Sequence, residues 1–191
     1  FTEKEYSDFV STLEFKLPQG GNNGLILRYS GEGQPHIEGL ELQVLDSEDP
    51  KYAKLDPRQY HGSVYGLVPA HRGYLRPTGE WNFQKVTMRG SQIKVELNGT
   101  TILDADLSEV KESKDGEVPP GAKRKSGHFG FAGHNDPVEF RNITIRELPG
   151  DPAVPPSRDT AISPTDGPIE LFNGRNLEGM YTWIRDTQYS D

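Results

Sequence analysis

Cysteine is absent from this chain of 191 residues. That absence excludes disulfide bonds, thiolate metal sites and cysteine nucleophiles together. Basic residues are also few, since 21 Lys and Arg stand against 29 Asp and Glu and leave a net charge of −8. Nucleic-acid binding depends on a basic surface that meets phosphates, so this charge argues against it.

Long apolar runs are missing as well. Hydrophobic residues make up only 32% of the chain, and no stretch approaches the roughly 18 residues that a membrane span needs. Residues 1–6 are mostly polar, which predicts that this chain carries no signal peptide. No segment has a sustained 3.6-residue apolar stripe, whereas 21 Gly and 15 Pro indicate many turns between short elements.

Short strands are the elements that the sequence does predict. Alternate residues from Phe9 to Leu17 are mostly apolar, so this segment is expected to bury one face. A turn is predicted at 18–24, and further strands are predicted at 25–29, 39–46, 81–88, 93–97, 100–103, 127–132 and 138–146. Between two of them, Asn98-Gly99 is typical of a type I′ hairpin turn. The pattern favours an all-β sandwich or jelly roll with long loops.

The strand predicted at 39–46 also has polar residues in a regular arrangement. Leu40, Leu42 and Val44 should face a core, while Glu41 and Gln43 share the opposite face. A carboxylate and an amide side by side on a sheet could bind a sugar-sized ligand in a groove. The alternative is an ordinary solvated outer face.

The long loop and the C-terminal part of the chain complete the predicted domain organisation. The loop at 47–80 is long for a compact domain, and such loops are usually functional. Six prolines within residues 148–168 indicate a linker after a first domain at 1–147. Residues 169–191 then carry a short strand-like tail.

Seven segments in order carry a family resemblance, and they lie at residues 2–9, 20–28, 39–46, 60–66, 79–82, 97–99 and 127–142. Together they resemble the 3-keto-disaccharide hydrolase domain, formerly a domain of unknown function, which is built on a concanavalin A-like jelly roll. In that family an opening strand precedes the segment at 2–9. Here the similar segment stands at 169–191, so the tail reads as the opening strands of a second copy. It could instead complete the first domain, in its own molecule or through a swapped dimer formed by residues 169–184.

The resemblance implies an exported bacterial hydrolase, periplasmic or secreted, that acts on oxidised disaccharides. It predicts Glu41, His61 and His134 as catalytic residues. Substrate binding is predicted for Arg28, Gln43, Asp46, Tyr65 and Trp81. Alternatives remain for two of these residues, since a loop histidine such as His61 is often a surface hydrogen-bonder, and a tryptophan that opens a strand is more often core.

The amide at Gln43 affects which cleavage mechanism is expected. The spacing of Glu41, Gln43 and Asp46 is similar to the acid-bearing strand of retaining glucanases of the same architecture, in which an acid occupies the middle position. A glycoside with a ketone at C3 can instead break by β-elimination, which needs a base for the C2 proton and an electrophile for the enolate. Glu41 or a histidine could be the base, and Arg28 or a divalent metal could stabilise the oxyanion.

Two questions stay open at this stage. His61 and His134 together with Glu41 and Asp46 could form a metal site. The rival function is a non-catalytic carbohydrate-binding module, and a third reading is a structural domain of a larger exported protein. The presence of Glu41, Gln43, Asp46 and the two histidines together favours the enzyme.

Overall fold

A computed structural model describes residues 1–149 of the chain. Its strands are β1 Phe9–Lys16, β2 Asn22–Tyr29, β3 Leu40–Leu45, β4 Trp81–Arg89, β5 Gln92–Leu97, β6 Thr100–Asp106, β7 His128–Gly133 and β8 Glu139–Glu147. One short helix, α1 Pro35–Glu38, precedes β3, and 3-10 turns lie at Pro50–Tyr52, Pro57–Gln59, Leu107–Glu109 and Pro120–Ala122. Among residues 1–149, none of the helices has the length and apolar character needed to cross a membrane.

The strands form two antiparallel sheets. The five-stranded sheet has the order β6-β5-β4-β1-β8, and the three-stranded sheet has the order β3-β2-β7. Side chains from the facing surfaces of the two sheets make one apolar core, in which Leu13, Phe15, Leu25, Leu42 and Val86 are fully buried. This arrangement confirms the predicted all-β concanavalin A-like jelly roll.

Strand alternation explains which residues enter the core. Buried and half-buried residues alternate without exception along β1, as predicted from its sequence. The hairpin between β5 and β6 is also confirmed, because Asn98 has a φ of 50° and Gly99 a φ of 87°. Both central residues of a type I′ turn need this left-handed conformation, which Asn and Gly tolerate best.

The start of β2 was predicted wrongly. The sequence places a turn up to Gly24, whereas β2 already begins at Asn22 and pairs with β3 along its whole first half. β7 pairs with the other side of the same residues. Hydrogen bonds to two neighbouring strands outweigh the low strand propensity of Asn and Gly, which is a weak local preference.

The long loop at 47–80 is irregular apart from its two 3-10 turns, but part of it extends the three-stranded sheet. The backbone N–H of Gln43 donates to Ser63, and the N–H groups of Gly62 and Tyr65 donate to the carbonyls of Gln43 and Glu41. These bonds cover the edge of β3 that β2 leaves free. Apart from residues 148 and 149, the predicted linker at 148–168 lies outside the described residues, as do the second-copy strands at 169–191.

Candidate active site

Glu41 lies on the outer face of the three-stranded sheet, the face turned away from the core. Leu40, Leu42 and Val44 enter the core as predicted, yet Glu41 on the other face is only 8% exposed. The alternative considered from the sequence, an ordinary solvated outer face, therefore does not hold for this strand. Gly24 of β2 makes the space for the carboxylate, since a Cβ at Gly24 would stand 2.2 Å from Glu41 Oε1.

His134 is the partner of the Glu41 carboxylate. It follows β7, and its Nε2 lies 3.5 Å from Glu41 Oε1. The His134 side chain is 44% exposed, so it forms the accessible wall above a nearly buried acid. Burial raises the pKa of Glu41 above its usual value, and His134 and the more distant His36 of α1 oppose that shift. The site therefore places a desolvated carboxylate, which is a stronger base than an exposed one, beside an imidazole that can carry a proton.

Amide groups continue this face beside the acid. Gln43 is 3% exposed, and its Nε2 donates to Asn22 Oδ1 over 2.7 Å. The backbone N–H of Asn22 donates to Asp136 Oδ2 at 3.0 Å, which ties the segment after β7 to the start of β2. Asp136, two residues beyond His134, therefore holds this connection through Asn22 and helps to set the position of His134.

Tyr65 borders Glu41 on the side opposite to β2. Its N–H donates to the Glu41 carbonyl at 2.8 Å, and its hydroxyl accepts from Gln59 Nε2 at 2.7 Å. Tyr65 and His36 line a cavity of about 470 Å³. The structure thus brings together Glu41, Gln43, His134 and Tyr65 from the predicted set.

Asp46 serves the turn between β1 and β2. Its Oδ2 accepts the N–H of Gly20 at 2.8 Å, and its own N–H donates to the carbonyl of Gly21. Gly20 has a φ of 63°, in the region that favours glycine, so this turn needs an external acceptor to fix it. The carboxylate that sequence reasoning assigned to substrate is engaged in holding the backbone.

His61 lies inside the sandwich and not in a surface loop or in the groove. It is 4% exposed, and its ring stacks on the core residue Phe15 with centroids 5.0 Å apart. Nδ1 accepts a long hydrogen bond, 3.4 Å, from the N–H of Leu45. Burial lowers the pKa of His61 to about 3, with the neighbouring Gln84 opposing the shift, so the imidazole is neutral near pH 7.

This burial predicts a pH effect on stability. The ordinary pKa of 6.5 applies when the chain unfolds, and the folded value is about 3. The unfolded state therefore binds the extra proton between these pH values, and the free energy of unfolding falls as pH drops below 6.5. Urea titrations from pH 7 to pH 4 should show this slope in the wild type, and His61→Gln should reduce it by about one proton. His71→Gln, at an exposed histidine, is the control; an unchanged slope in His61→Gln would contradict the assignment.

Arg28 does not reach the groove. It lies at a bulge in β2 with a φ of 54°, and the pairing with β7 shifts register between Ile26 and Tyr29. This left-handed residue breaks the alternation of β2. The guanidinium instead donates through Nη2 to the carbonyl of Gly90, in the β4–β5 turn of the other sheet. The prediction that Arg28 shares a surface with Glu41 is wrong.

Trp81 is also in another place. It opens β4 on the outer face of the five-stranded sheet, because its neighbours Asn82 and Gln84 are buried. Lys16 Nζ lies 5.0 Å and Arg141 Cζ 3.9 Å from its ring centroid. Trp81 is therefore neither a core residue nor part of the Glu41 groove, and cations rather than apolar groups pack on its ring.

The four residues considered as a possible metal site, Glu41, Asp46, His61 and His134, do not come together. His61 is in the core and Asp46 holds a turn, so only His134 of the proposed ligands stands next to Glu41. Across residues 1–149, no group of three or more His, Asp or Glu side chains is arranged to hold a metal ion. The residues present do not fit the divalent ion considered from the sequence.

Sequence reasoning missed Asn22 and Gly24. Both fall in a stretch that was assigned to a turn, although Gly24 stands opposite Gln43 in the β2–β3 pairing. A glycine inside a strand often marks a close approach by another group, and that signal was present in the sequence.

Comparison with known proteins agrees with this architecture. The family model described as a 3-keto-alpha-glucoside-1,2-lyase-like domain matches residues 1–146. A Bacteroides thetaiotaomicron protein named 3-keto-disaccharide hydrolase is 25% identical over 173 residues, which cover 75% of this chain. The match spans 60% of the length of that relative.

Two crystal structures from Parabacteroides distasonis, both of candidate glycosyl hydrolases, are similar to this fold. The first gives a TM-score of 0.69 at 29% identity and covers 77% of this chain and 81% of that chain. The second gives 0.66 at 24% identity, with 78% and 73% covered, and bears on the fold alone. With the family match extending over residues 1–146, the chain belongs to the 3-keto-alpha-glucoside-1,2-lyase-like domain family.

Proposed function

We propose that this chain cleaves the glycosidic bond of 3-keto-disaccharides or related 3-keto-glycosides on the outer face of its three-stranded sheet. One observation carries the proposal: a nearly buried carboxylate, Glu41, lies 3.5 Å from a half-exposed imidazole, His134. Burial raises the pKa of Glu41, which makes its ionised form a stronger base than an exposed carboxylate. The family match and the name of the Bacteroides relative support the choice of substrate.

The chemistry follows from the ketone at C3, which acidifies the proton on C2. Glu41 removes that proton, and the electrons form an enolate that extends to the C3 oxygen. The enolate then expels the substituent oxygen at C1, a C1=C2 double bond forms, and the leaving oxygen takes a proton from His134. Addition of water across the new double bond completes a net hydrolysis. This route needs a base for the C2 proton, an electrophile beside the enolate oxygen and an acid for the leaving oxygen, rather than two carboxylates at the spacing of a retaining glycosidase.

Neighbouring groups suit the binding of sugar hydroxyls. The Gln43–Asn22 amide pair lies on the strands that carry and flank Glu41. Each of these amides has both donor and acceptor atoms, as a hydroxyl group needs. Tyr65 and the cavity beside it offer space for the second sugar, next to the Glu41 backbone.

The test is incubation of the purified chain with 3-keto-trehalose and, in parallel, with trehalose. We expect release of glucose from the 3-keto sugar only, unchanged by a chelator. In D2O, deuterium should enter C2 of the recovered 3-keto sugar, because its proton is removed reversibly. Equal cleavage of trehalose would contradict the elimination route. Binding of either sugar without cleavage would identify the alternative, a carbohydrate-binding module.

A further inference from the structure

A cavity that is lined by neither Glu41 nor His134 lies where the segment before β1, the end of β2 and the β4–β5 turn meet. Its volume is about 660 Å³, and its lining includes Asp8, Arg28, Ser91, Lys123, Arg124 and Lys125. The whole chain carries a net charge of −8, yet four of these six residues are basic. A local excess of positive charge in an acidic protein attracts an anion.

Arg28 is the buried basic group of this cavity. It is 2% exposed, and its Nη2 donates to the carbonyl of Gly90. Within residues 1–149 its Nε, also buried, has no hydrogen-bond partner. A buried guanidinium with an unused donor is costly, because the protein replaces only part of its hydration.

The backbone conformation at Arg28 shows that the direction of its side chain is fixed by the surrounding structure. A non-glycine residue with a φ of 54° is uncommon in a strand. Two neighbours fix it: Arg124 Nη1 donates to the Arg28 carbonyl at 3.3 Å, and Gly127 packs so closely that a Cβ there would stand 2.4 Å from the Arg28 carbonyl carbon. Strained conformations of this kind persist where the surrounding structure determines them and are concentrated at functional sites.

Some of the other charged side chains around this cavity already have hydrogen-bond partners, and others do not. Arg124 is engaged by the carboxylate and carbonyl of Glu38, and Asp8 accepts the N–H of Gly90. Asp106, close to this cavity, accepts hydrogen bonds from Ser108. Lys123 and Lys125 are exposed and form no ion pair with any residue from 1 to 149. Lys123 and Lys125 therefore keep donors for a ligand, and Arg28 adds a buried positive charge beside them.

We propose that this cavity binds a sulfate or phosphate group, either as the free ion or as an ester on a small molecule. Arg28 supplies positive charge from the buried side of the cavity, and the two exposed lysines supply the donors. Arginine and lysine donors bind such oxyanions through short, charge-assisted hydrogen bonds. The volume exceeds that of a bare ion and admits a monosaccharide that carries the group. The site needs no contribution from Glu41 or His134.

Calorimetric titration at constant ionic strength tests this proposal. The probes are sodium sulfate, sodium phosphate, glucose 6-sulfate, glucose 6-phosphate and, as the neutral control, glucose. We expect one site per chain for the anions and none for glucose. Tighter binding of the esters than of the free ions would indicate an ester ligand, whereas equal binding would indicate a free ion.

A pair of double variants separates a defined site from general charge attraction. Lys123→Gln with Lys125→Gln should weaken sulfate binding by about ten-fold or more, since both charge-assisted hydrogen bonds to the anion are lost. Lys94→Gln with Lys111→Gln removes the same charge elsewhere and should bind as the wild type does. In a 15N spectrum, the Arg28 Nε–H signal should shift on saturation with sulfate. Absence of anion binding, equal losses in both variants, or binding without this shift would overturn the proposal.

Discussion

Glu41→Gln is expected to lower kcat for cleavage of 3-keto-trehalose by about 10²–10⁴, the range that a positioned general base contributes. Glutamine has nearly the same shape but cannot accept the C2 proton. KM should change little, because Gln43 and its neighbours still bind the sugar. Steady-state kinetics of the purified variant measure both values. The control is Glu96→Gln, which removes a strand carboxylate on the outer face of the other sheet, where it pairs with Lys85.

Stability separates a catalytic Glu41 from a structural one. Its pKa is raised in the folded state, so folding is penalised where Glu41 is ionised, at pH above that raised value. The penalty disappears as pH falls toward the unfolded value of 4.5. Glu41→Gln should therefore be as stable as the wild type near pH 8, or more stable. Full activity in this variant would remove Glu41 from the mechanism, and a large loss of stability would assign it a structural role.

Gly24→Ala is expected to disable the same site without touching an ionisable group. The new Cβ would stand 2.2 Å from Glu41 Oε1 and 2.6 Å from its Cγ, so the whole side chain must move. A misplacement of about 1 Å can cost roughly 100-fold in rate. We expect kcat to fall by about that factor, with KM affected less and the deuterium exchange at C2 lost in parallel.

Gly133→Ala is the matched control for this change. Gly133 lies on the neighbouring strand β7, and a Cβ there would meet nothing within 4 Å. Its kinetics and melting temperature should stay close to those of the wild type. Because the nearly buried Glu41 side chain must move as a whole, Gly24→Ala should also unfold at a lower urea concentration than Gly133→Ala. If Gly24→Ala kept full activity, precise placement of the Glu41 carboxylate would not be needed for turnover.

Much of the fold could be predicted from local patterns in the sequence. Alternation predicted the inward face of β1 and the shared face of Glu41 and Gln43, since the two-residue period is a property of the extended backbone itself. Asn98-Gly99 predicted its turn because few residues accept two positive φ angles in succession. These features depend on residues close together in the chain, so no tertiary information was needed.

Placement of the site residues depended on contacts between distant segments. Residues after β7 brought His134 to Glu41, and Gly24 on another strand made room for the carboxylate. A single left-handed residue turned Arg28 toward the opposite sheet, and packing on Phe15 took His61 into the core. The sequence alone determined most of the strands and, where the backbone is regular, which of their residues share a face. Only the tertiary structure decided which polar groups are buried and which meet, because burial and pKa depend on neighbours far along the chain.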